Sequence, residues 1–367
     1  MSMRCPRCGT EFGLEAKFCT RDGTRLQPPG AQPPGAQPPA DAATLGAPGS
    51  SRSSTTPRAM TPPVGVPRQF NPALLAGQVL EGRYNILKKL GEGGMSFVYL
   101  GEDVASREQY AIKVLSPQLV KDGTAMARLR REASLGMRLE HPNVCHIVRL
   151  GETEDGVVYV VMPFVQGEIL SDRNNRMGQM PLAEVVPFVQ QIAAGLQVAH
   201  DLKIIHRDLK PENIMIAHNA DGTERAVVMD FGLAKERKAG GELEKLTATG
   251  IILGTPEFMS PEQLRGKPLD PRTDVYSLTL MTYEMLTGKL PFEGKNQQEM
   301  MIARLRSDPI SIRTRRADIS EAVETVLNKG MARNADDRYQ TAGDFANALA
   351  AVADGGANGA LGRLFGR

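Results

Sequence analysis

Hydrophobic and polar residues follow two different periods along this chain, and the change comes near residue 180. Before it, short apolar runs bounded by glycines and charges predict β-strands, interrupted by one helix near Thr124–Leu139. From Leu182 onward, apolar residues recur every three or four positions, as on one face of a helix. The predicted strands are Tyr84–Leu90, Phe97–Asp103, Gln109–Val114, Cys145–Glu152 and Val157–Pro163. This order predicts an α+β fold in which a small β-rich lobe precedes a larger helical lobe, with a cleft between them.

The first 76 residues differ from the rest in composition. Residues 1–26 are rich in cysteine and predict a small compact module. Residues 27–76 are rich in Pro, Gly, Ala, Ser and Thr, and such a segment cannot bury enough apolar surface to offset chain entropy, so we predict a disordered linker. A globular domain is predicted over residues 77–350, followed by a Gly- and Ala-rich tail over 351–367.

Composition narrows the class of protein. Hydrophobic residues make up 41% of the chain, which allows a sizeable core, and the formal net charge is only +2. A dedicated nucleic-acid binder usually carries a strong basic excess, so nucleic acid is not an expected partner. No basic segment followed by an apolar run opens the sequence, and no run approaches the roughly 18 apolar residues of a membrane span. We therefore expect a cytoplasmic protein without a secretory signal or a membrane span.

A glycine-rich segment lies between the first two predicted strands and reads Gly91-Glu92-Gly93-Gly94-Met95-Ser96-Phe97-Val98. Glycines let the backbone lie close to phosphate groups, with N–H groups offered to their oxygens. A hairpin that merely turns would look similar, so this segment alone does not decide the function.

A lysine stands inside an apolar strand, in Ala111-Ile112-Lys113-Val114. Because a lysine is excluded from a hydrophobic core, we expect Lys113 to point into the cleft toward an anionic partner. Glu132, in the following predicted helix, is a candidate partner for it.

Two further motifs follow in order: His206-Arg207-Asp208-Leu209-Lys210-Pro211-Glu212-Asn213, and Asp230-Phe231-Gly232 after the apolar run Ala226–Met229. With these, the sequence resembles the eukaryotic-like (Hanks-type) Ser/Thr protein kinases of bacteria from about Tyr84 to Leu349. The resemblance implies a bilobal kinase fold and ATP- and Mg²⁺-dependent phosphorylation of Ser and Thr hydroxyls on proteins, in signalling.

The resemblance also implies roles for the polar residues. Lys113 would contact the α- and β-phosphates of ATP and be held by Glu132. Asp230 and Asn213 would ligate Mg²⁺ through oxygen. Asp208 would take or orient the proton of the substrate hydroxyl. Lys210 would neutralise charge on the transferred phosphoryl group.

The nucleotide pocket is implied in the same way. Met162 would guard its back, and Val165 would donate its N–H to adenine. Pro163 replaces a common acidic residue, which is tolerable because only the carbonyl is used there. Ser96 takes the place of a third glycine. The implied nucleotide-binding positions are Gly91, Glu92, Gly93, Gly94, Met95, Ser96, Val98, Ala111, Lys113, Glu132, Met162, Pro163, Val165 and Asp230.

The activation segment is implied to end in Gly254-Thr255-Pro256. Thr255 would bridge to Asp208 and Lys210. Autophosphorylation is expected at Thr247, Thr249 or both, since a phosphate could neutralise the buried arginine Arg207 and order this segment.

Four further positions have implied structural roles. Glu262 would form a buried pair with Arg338, and Asp274 would brace the catalytic loop. Gly136 departs from the family, which usually has a packing side chain there and so holds the helix more firmly.

The N-terminal cysteines form two similar segments, Cys5-Pro6-Arg7-Cys8-Gly9 and Cys19-Thr20-Arg21-Asp22-Gly23. These segments resemble the knuckles of a zinc ribbon, with Asp22 in place of the last cysteine. The resemblance implies a structural Zn²⁺ on Cys5, Cys8, Cys19 and Asp22, in a module that recruits a protein partner. Free thiols are the alternative. The fourth cysteine, Cys145, lies among apolar residues and is expected to be a small buried hydrophobe.

Two rival functions remain open. The first is a pseudokinase-like scaffold that binds nucleotide without turnover, although the complete set of catalytic residues argues against it. The second is a protein whose N-terminal module, which is basic, binds nucleic acid, with the kinase domain as its regulator. The near-neutral net charge of the chain argues against this second function.

Overall fold

The computed structural model describes residues 2–4, 11–13, 73–93, 96–219, 221–231 and 256–364. The chain divides into two compact units, Met1–Val66 and Pro67–Arg367. In the first unit, strands β1 (Ser2–Arg4) and β2 (Glu11–Gly13) pair antiparallel, with Arg4 opposite Glu11.

The small lobe of the second unit is built on an antiparallel six-stranded sheet, of order β3-β4-β5-β6-β8-β7. Two helices connect β6 to β7: α1 (Pro117–Lys121) and α2 (Gly123–Gly136). The strands are β3 (Val79–Leu80), β4 (Tyr84–Gly93), β5 (Ser96–Asp103), β6 (Gln109–Leu115), β7 (Arg149–Glu152) and β8 (Val158–Pro163). Alternating apolar residues of these strands, including Tyr84, Ile86, Tyr99 and Ile112, form the core of this lobe.

One predicted strand is shorter than expected. The run Cys145–Glu152 forms a strand only from Arg149, because the preceding backbone bonds elsewhere. The N–H of Cys145 donates to Val228 O at 2.9 Å, and the N–H of Ile147 donates to Gly136 O at 3.4 Å. The segment after α2 is therefore attached at Cys145 to the large lobe, through the strand that contains Val228. It meets the small-lobe sheet at Val148, whose N–H donates to Val161 O at 2.8 Å.

The large lobe is helical, as the 3- and 4-residue periodicity predicted. Its helices are α3 (Leu170–Met177), α4 (Leu182–Asp201), α5 (Pro261–Leu264), α6 (Arg272–Thr287), α7 (Gln297–Arg306), α8 (Glu321–Gly330) and α9 (Ala342–Leu364). The helix α9 continues into the residues that we predicted as a tail. A small antiparallel sheet, β9 (Gly167–Ile169), β10 (Ile214–His218) and β11 (Glu224–Val228), lies beside the cleft with β10 in the middle.

Helices α4 and α6 form the centre of this lobe. The predicted apolar face of α4 is buried at Val185, Val189, Ile192 and Leu196. By length and composition, α4 is also the one helix of the described residues that could cross a membrane, with half of its apolar window buried in the fold. Almost every residue of α6 is buried, so this helix supports the elements that carry the polar motifs.

Candidate active site

The pairing of β10 with β11 brings two polar motifs to one edge of the cleft. In this antiparallel ladder Ile214 lies opposite Val228, so Asn213 and Met229 come next at the same end. The N–H of Met229 donates to Asn213 O at 2.8 Å, which places Asp230 one residue beyond the ladder. Residues separated in sequence by a whole hairpin are thus neighbours in space.

Asp208 lies in a loop that is held by hydrogen bonds from residues close to it in the chain. Asn213 Nδ2 donates to the main-chain oxygen of Asp208 at 2.7 Å and lies 3.4 Å from its Oδ2. Lys210 Nζ is 3.2 Å from Asp208 Oδ2. The Asp208 side chain is 42% exposed, so its carboxylate remains accessible from the cleft.

The backbone around these motifs is strained. Arg207 has a φ of 65° and Asp230 a φ of 58°, a conformation that side chains other than glycine adopt rarely. Such strain persists only where the surroundings over-determine it, and it concentrates at functional sites.

Asp274, in α6, provides that support for Arg207. Its buried carboxylate accepts hydrogen bonds from the N–H groups of His206 (2.8 Å) and Arg207 (3.0 Å), and His200 Nε2 lies 2.8 Å from it. Burial favours the neutral acid, but these partners outweigh it and hold the pKa of Asp274 below its usual value. The predicted bracing role of Asp274 is confirmed.

Lys113 reaches from the small lobe to the large-lobe motif. It lies on β6, and its Nζ forms a 2.8 Å ion pair with Asp230 Oδ1. Partial burial favours the neutral form of Asp230, yet the Lys113 ammonium, with His206 and Lys210, lowers the pKa of Asp230. The expectation that Lys113 points into the cleft toward an anion is confirmed. Glu132 is partly buried in α2, and its pairing with Lys113 stays a prediction.

The glycine-rich segment forms a β-hairpin at the mouth of the cleft. Gly91 pairs with Val98, Glu92 with Phe97, and Gly93 with Ser96. Apart from its chain neighbours, no atom of the described residues lies within 4 Å of where a side chain on Gly91 would begin, so the backbone there has open space beside it. The two residues at the tip, Gly94 and Met95, lie outside the described residues.

Apolar side chains from both lobes meet behind this hairpin. Ala111 and Met162 are paired across β6 and β8 and are buried in one cluster with Val160 and Val227. Partly buried residues of both lobes pack against it: Val98, Val165, Met215 and Met229. The sequence predicted Val98, Ala111, Met162 and Val165 as lining of the site, but not Met215 and Met229. Pro163 ends β8, and its carbonyl is 3.7 Å from Cys145 Sγ.

Three residues beside the site are buried. Cys145 is 3% exposed, and burial raises the pKa of its thiol to about 12, as suits an inert buried residue. His206 and Phe231 are fully buried, with ring centroids 4.8 Å apart in an edge-to-face contact. The prediction that Cys145 is a small buried hydrophobe is confirmed.

The structure also shows why a glycine fits at position 136, the last residue of α2. A Cβ on Gly136 would lie 2.9 Å from Ile147 Cδ1, so Ile147 fills the space that a helix side chain would otherwise take. We predicted that the missing side chain at Gly136 would leave α2 less firmly held. The side chain of Ile147 fills this space instead, so the position is packed.

The segment after the activation region is tied to the rest of the large lobe. Arg338 pairs bidentately with Glu262, at 2.7 and 2.8 Å, and Thr273 donates to the same carboxylate at 2.9 Å. The predicted pair is thus confirmed. Gln263, whose role the sequence did not predict, donates from Nε2 to Arg207 O at 2.6 Å and so joins this segment to the catalytic loop.

Several predicted residues lie outside the described part of the chain. They are the phosphorylation candidates Thr247 and Thr249, the bridging Thr255, and the zinc candidates Cys5, Cys8, Cys19 and Asp22. Among the residues that the structure does describe, no group of three His, Cys, Asp or Glu side chains could hold a metal ion.

Comparison with known proteins consistently finds protein kinases. A family described as "Protein kinase domain" matches residues 84–349. The serine/threonine-protein kinase pkn2 of Myxococcus xanthus is 40% identical over 75% of this chain, and PrkC of Bacillus subtilis is 35% identical over 74%. The match covers 33% and 40% of those relatives, so the chain spans well under half of their length.

Solved structures give the same result for the fold. The crystal structure of the Mycobacterium tuberculosis PknI kinase domain superposes with a TM-score of 0.59 and 26% sequence identity. The superposition covers 76% of this chain and 99% of that one. The two-lobed arrangement of sheet and helices is therefore shared along the whole of that domain.

Proposed function

This chain belongs to the protein kinase family, and from that membership we propose that it transfers the terminal phosphoryl group of ATP to serine and threonine hydroxyls of other proteins. The observation that carries the proposal is the convergence of Lys113, Asp208, Lys210, Asn213 and Asp230 at one cleft. Each residue type supplies what phosphoryl transfer needs: a base, cations and oxygen ligands.

Asp208 is the candidate base. Its carboxylate is accessible, and the hydrogen bond from Asn213 to its main-chain oxygen holds the loop that carries it. A substrate hydroxyl within hydrogen-bonding distance of Asp208 would pass its proton to the carboxylate as it attacks, an effect of about 10²–10⁴ in rate. Lys210, 3.2 Å away, would balance the negative charge of the transferred group.

Lys113 and the two-lobed pocket would hold the nucleotide. The ammonium of Lys113 already lies against one anion, Asp230, so its place in the cleft suits a phosphate group. The apolar cluster around Ala111 and Met162 offers a slot for the flat adenine ring. The open space beside Gly91 would let the hairpin backbone approach the phosphates.

The donor set also fits a magnesium ion. Asp230 and Asn213 offer carboxylate and amide oxygens, which hard cations prefer. Asn213 uses its amide nitrogen to hold the Asp208 loop, which leaves its side-chain oxygen for a cation. When bound, Mg²⁺ would neutralise charge on the phosphates.

The test uses purified protein, ATP, Mg²⁺ and a generic acceptor such as casein. The wild type should phosphorylate Ser or Thr, and both Asp208→Asn and Lys113→Met should lose nearly all activity. Equal transfer by all three proteins would contradict the assignment. A wild type that binds ATP but transfers nothing would favour the pseudokinase-like scaffold instead.

The N-terminal unit extends this proposal. Strands β1 and β2 pair on either side of the segment that contains Cys5 and Cys8, the hairpin connectivity of a zinc knuckle. We propose that Cys5, Cys8, Cys19 and Asp22 bind one structural Zn²⁺ and that this module recruits a protein partner. Control by autophosphorylation at Thr247 or Thr249, a role in signal transduction and a cytoplasmic location complete the proposal.

A further inference from the structure

Four consecutive main-chain carbonyls, from Pro256 to Met259, accept hydrogen bonds from side chains of two helices. Arg304, in α7, donates from Nη1 to Pro256 O (2.6 Å) and Met259 O (3.1 Å), and from Nη2 to Glu257 O. Ser277, in α6, donates to the remaining carbonyl, that of Phe258, at 2.7 Å. The path of this segment is therefore held through its backbone, in addition to the burial of the side chains of Phe258 and Met259.

The burial of Arg304 is energetically unfavourable, because it removes a charged group from water. Its side chain is completely buried, and burial lowers the pKa of its guanidinium. Nearby, the guanidinium carbon lies 5.9 Å from the centre of the Phe292 ring. An apolar side chain of similar volume would fill this space without the cost of desolvating a charge. What only an arginine offers is a rigid fork of donors that can reach several carbonyls at once.

The segment that Arg304 holds leads directly to the active site. It begins one residue after Thr255 and ends at Ser260, whose N–H donates to Gln263 Oε1 at 2.9 Å. The other end of that amide donates to Arg207 O, next to Asp208. Arg304 is thus connected to the catalytic loop through one short path of backbone and a single side chain.

We propose that Arg304 is a positioning residue for the protein substrate: it fixes the backbone against which the acceptor segment lies, so that the hydroxyl meets Asp208. The inference rests on the proposed kinase function. It assigns Arg304 no contact with ATP, because its guanidinium is buried and donates to main-chain oxygens of residues 256–259. Loss of Arg304 should therefore affect the protein substrate selectively.

The experiment compares the full chain with Arg304→Met, Arg304→Lys and the control Arg306→Met. Arg306 is the matched control because it lies on the same helix but is exposed. For each protein we would measure kcat and KM toward casein, KM for ATP, ATP hydrolysis without casein, and the rise in Tm caused by Mg²⁺-ATP. Arg304→Met should lose at least about tenfold in kcat/KM toward casein, about 1.4 kcal/mol, and keep the other values. Arg304→Lys should fall between, and Arg306→Met should match the wild type.

Two results would overturn the inference. One is a wild-type kcat/KM toward casein in Arg304→Met; the other is an equal loss in casein phosphorylation and casein-independent ATP hydrolysis, which would mean general damage. If Arg304→Met does not fold, Arg304→Lys decides by the same comparison. A wild type that phosphorylates no protein would contradict the proposed function as well, so the two failures can be distinguished.

Discussion

The side-chain amide of Gln263 donates a 2.6 Å hydrogen bond to the main-chain oxygen of Arg207. The same amide accepts from Ser260 N, and the Ser260 hydroxyl accepts from Gln263 N, so that Gln263 also closes the capping box of α5. One side chain thus caps a helix and holds the residue before Asp208.

Gln263→Glu should slow phosphoryl transfer. The carboxylate can still accept from Ser260, but it would face the partly buried oxygen of Arg207 without a proton to donate. Loss of such a hydrogen bond costs about 0.5–1.5 kcal/mol, and repulsion between the two oxygens adds to this cost. We expect kcat to fall about tenfold or more, with KM for ATP unchanged. Steady-state kinetics check this, with Gln297→Glu, at an exposed position of α7, as the control. Unchanged kcat would show that the link to Arg207 is dispensable.

Glu284 should make stability depend on pH. Burial raises its pKa from 4.5 to about 7, although Asn174 donates to it at 3.0 Å. Between these two values the unfolded chain releases a proton that the folded chain keeps, so this group's contribution to stability falls as the pH rises from 4.5 through 7.

Glu284→Gln should remove that pH dependence. The amide stays neutral, and it can donate to Asn174 Oδ1, which has no hydrogen-bond partner in the described structure. Relative to the wild type, the variant should gain about 1–3 kcal/mol in unfolding free energy at pH 8 and much less at pH 5. Urea unfolding at both pH values measures this, with exposed Glu321→Gln as the control. An equal difference at the two pH values would contradict it.

The pair between Arg338 and Glu262 should be important for stability. Its side chains are 0% and 13% exposed, so removal of Arg338 leaves a buried carboxylate without its main partner. Arg338→Met should cost about 3–5 kcal/mol. Breaking the exposed pair of Arg333 with Asp308 by Arg333→Met should cost less than about 1 kcal/mol. Denaturant unfolding of both variants would decide; similar losses would mean that burial is not the cause.

Zinc should accompany the full chain at about one ion per molecule. Cys19→Ser should lower the zinc content and Asp22→Cys should tighten binding, because thiolate is a better zinc ligand than carboxylate. Cys145→Ala is the matched control, since that cysteine is buried in the second unit, and it should keep its zinc. Elemental analysis that finds no zinc at neutral pH would leave the N-terminal cysteines as free thiols.

The threonines Thr247 and Thr249 should carry phosphate in the active protein. A phosphate adds a charge of about −1.5 to −2, which would pair with Arg207. Mass spectrometry should detect it in the wild type and not in Asp208→Asn. The double change to alanine should reduce activity toward casein by at least about tenfold. If the double variant is as active as the wild type, control lies elsewhere.

The features that could be predicted from the sequence are those that produce a local pattern of residues. Strand periodicity, the buried face of α4 and the motifs around Asp208 and Asp230 depend on residues close together in the chain. The roles of Gln263 and Arg304 could not be predicted in this way, because both side chains bond to main-chain oxygens far away in sequence. Every residue has a main-chain oxygen, so the sequence does not indicate which one accepts the hydrogen bond. The shortened strand before Arg149 has the same cause: the N–H of Cys145 bonds to Val228 O.

That attachment also limits how the cleft can open. In the described part of the chain, two main-chain connections join the small lobe to the large one, in addition to the ion pair of Lys113 with Asp230. They are the chain that follows Pro163 and the hydrogen bonds of Val228 with Asn143 and Cys145. Main-chain connections of this kind are where a hinge between two lobes is expected, so any movement of the glycine-rich hairpin relative to the large lobe should leave both of them intact. The amides of Cys145 and Val228 should accordingly exchange slowly with solvent deuterium, with nucleotide and without it.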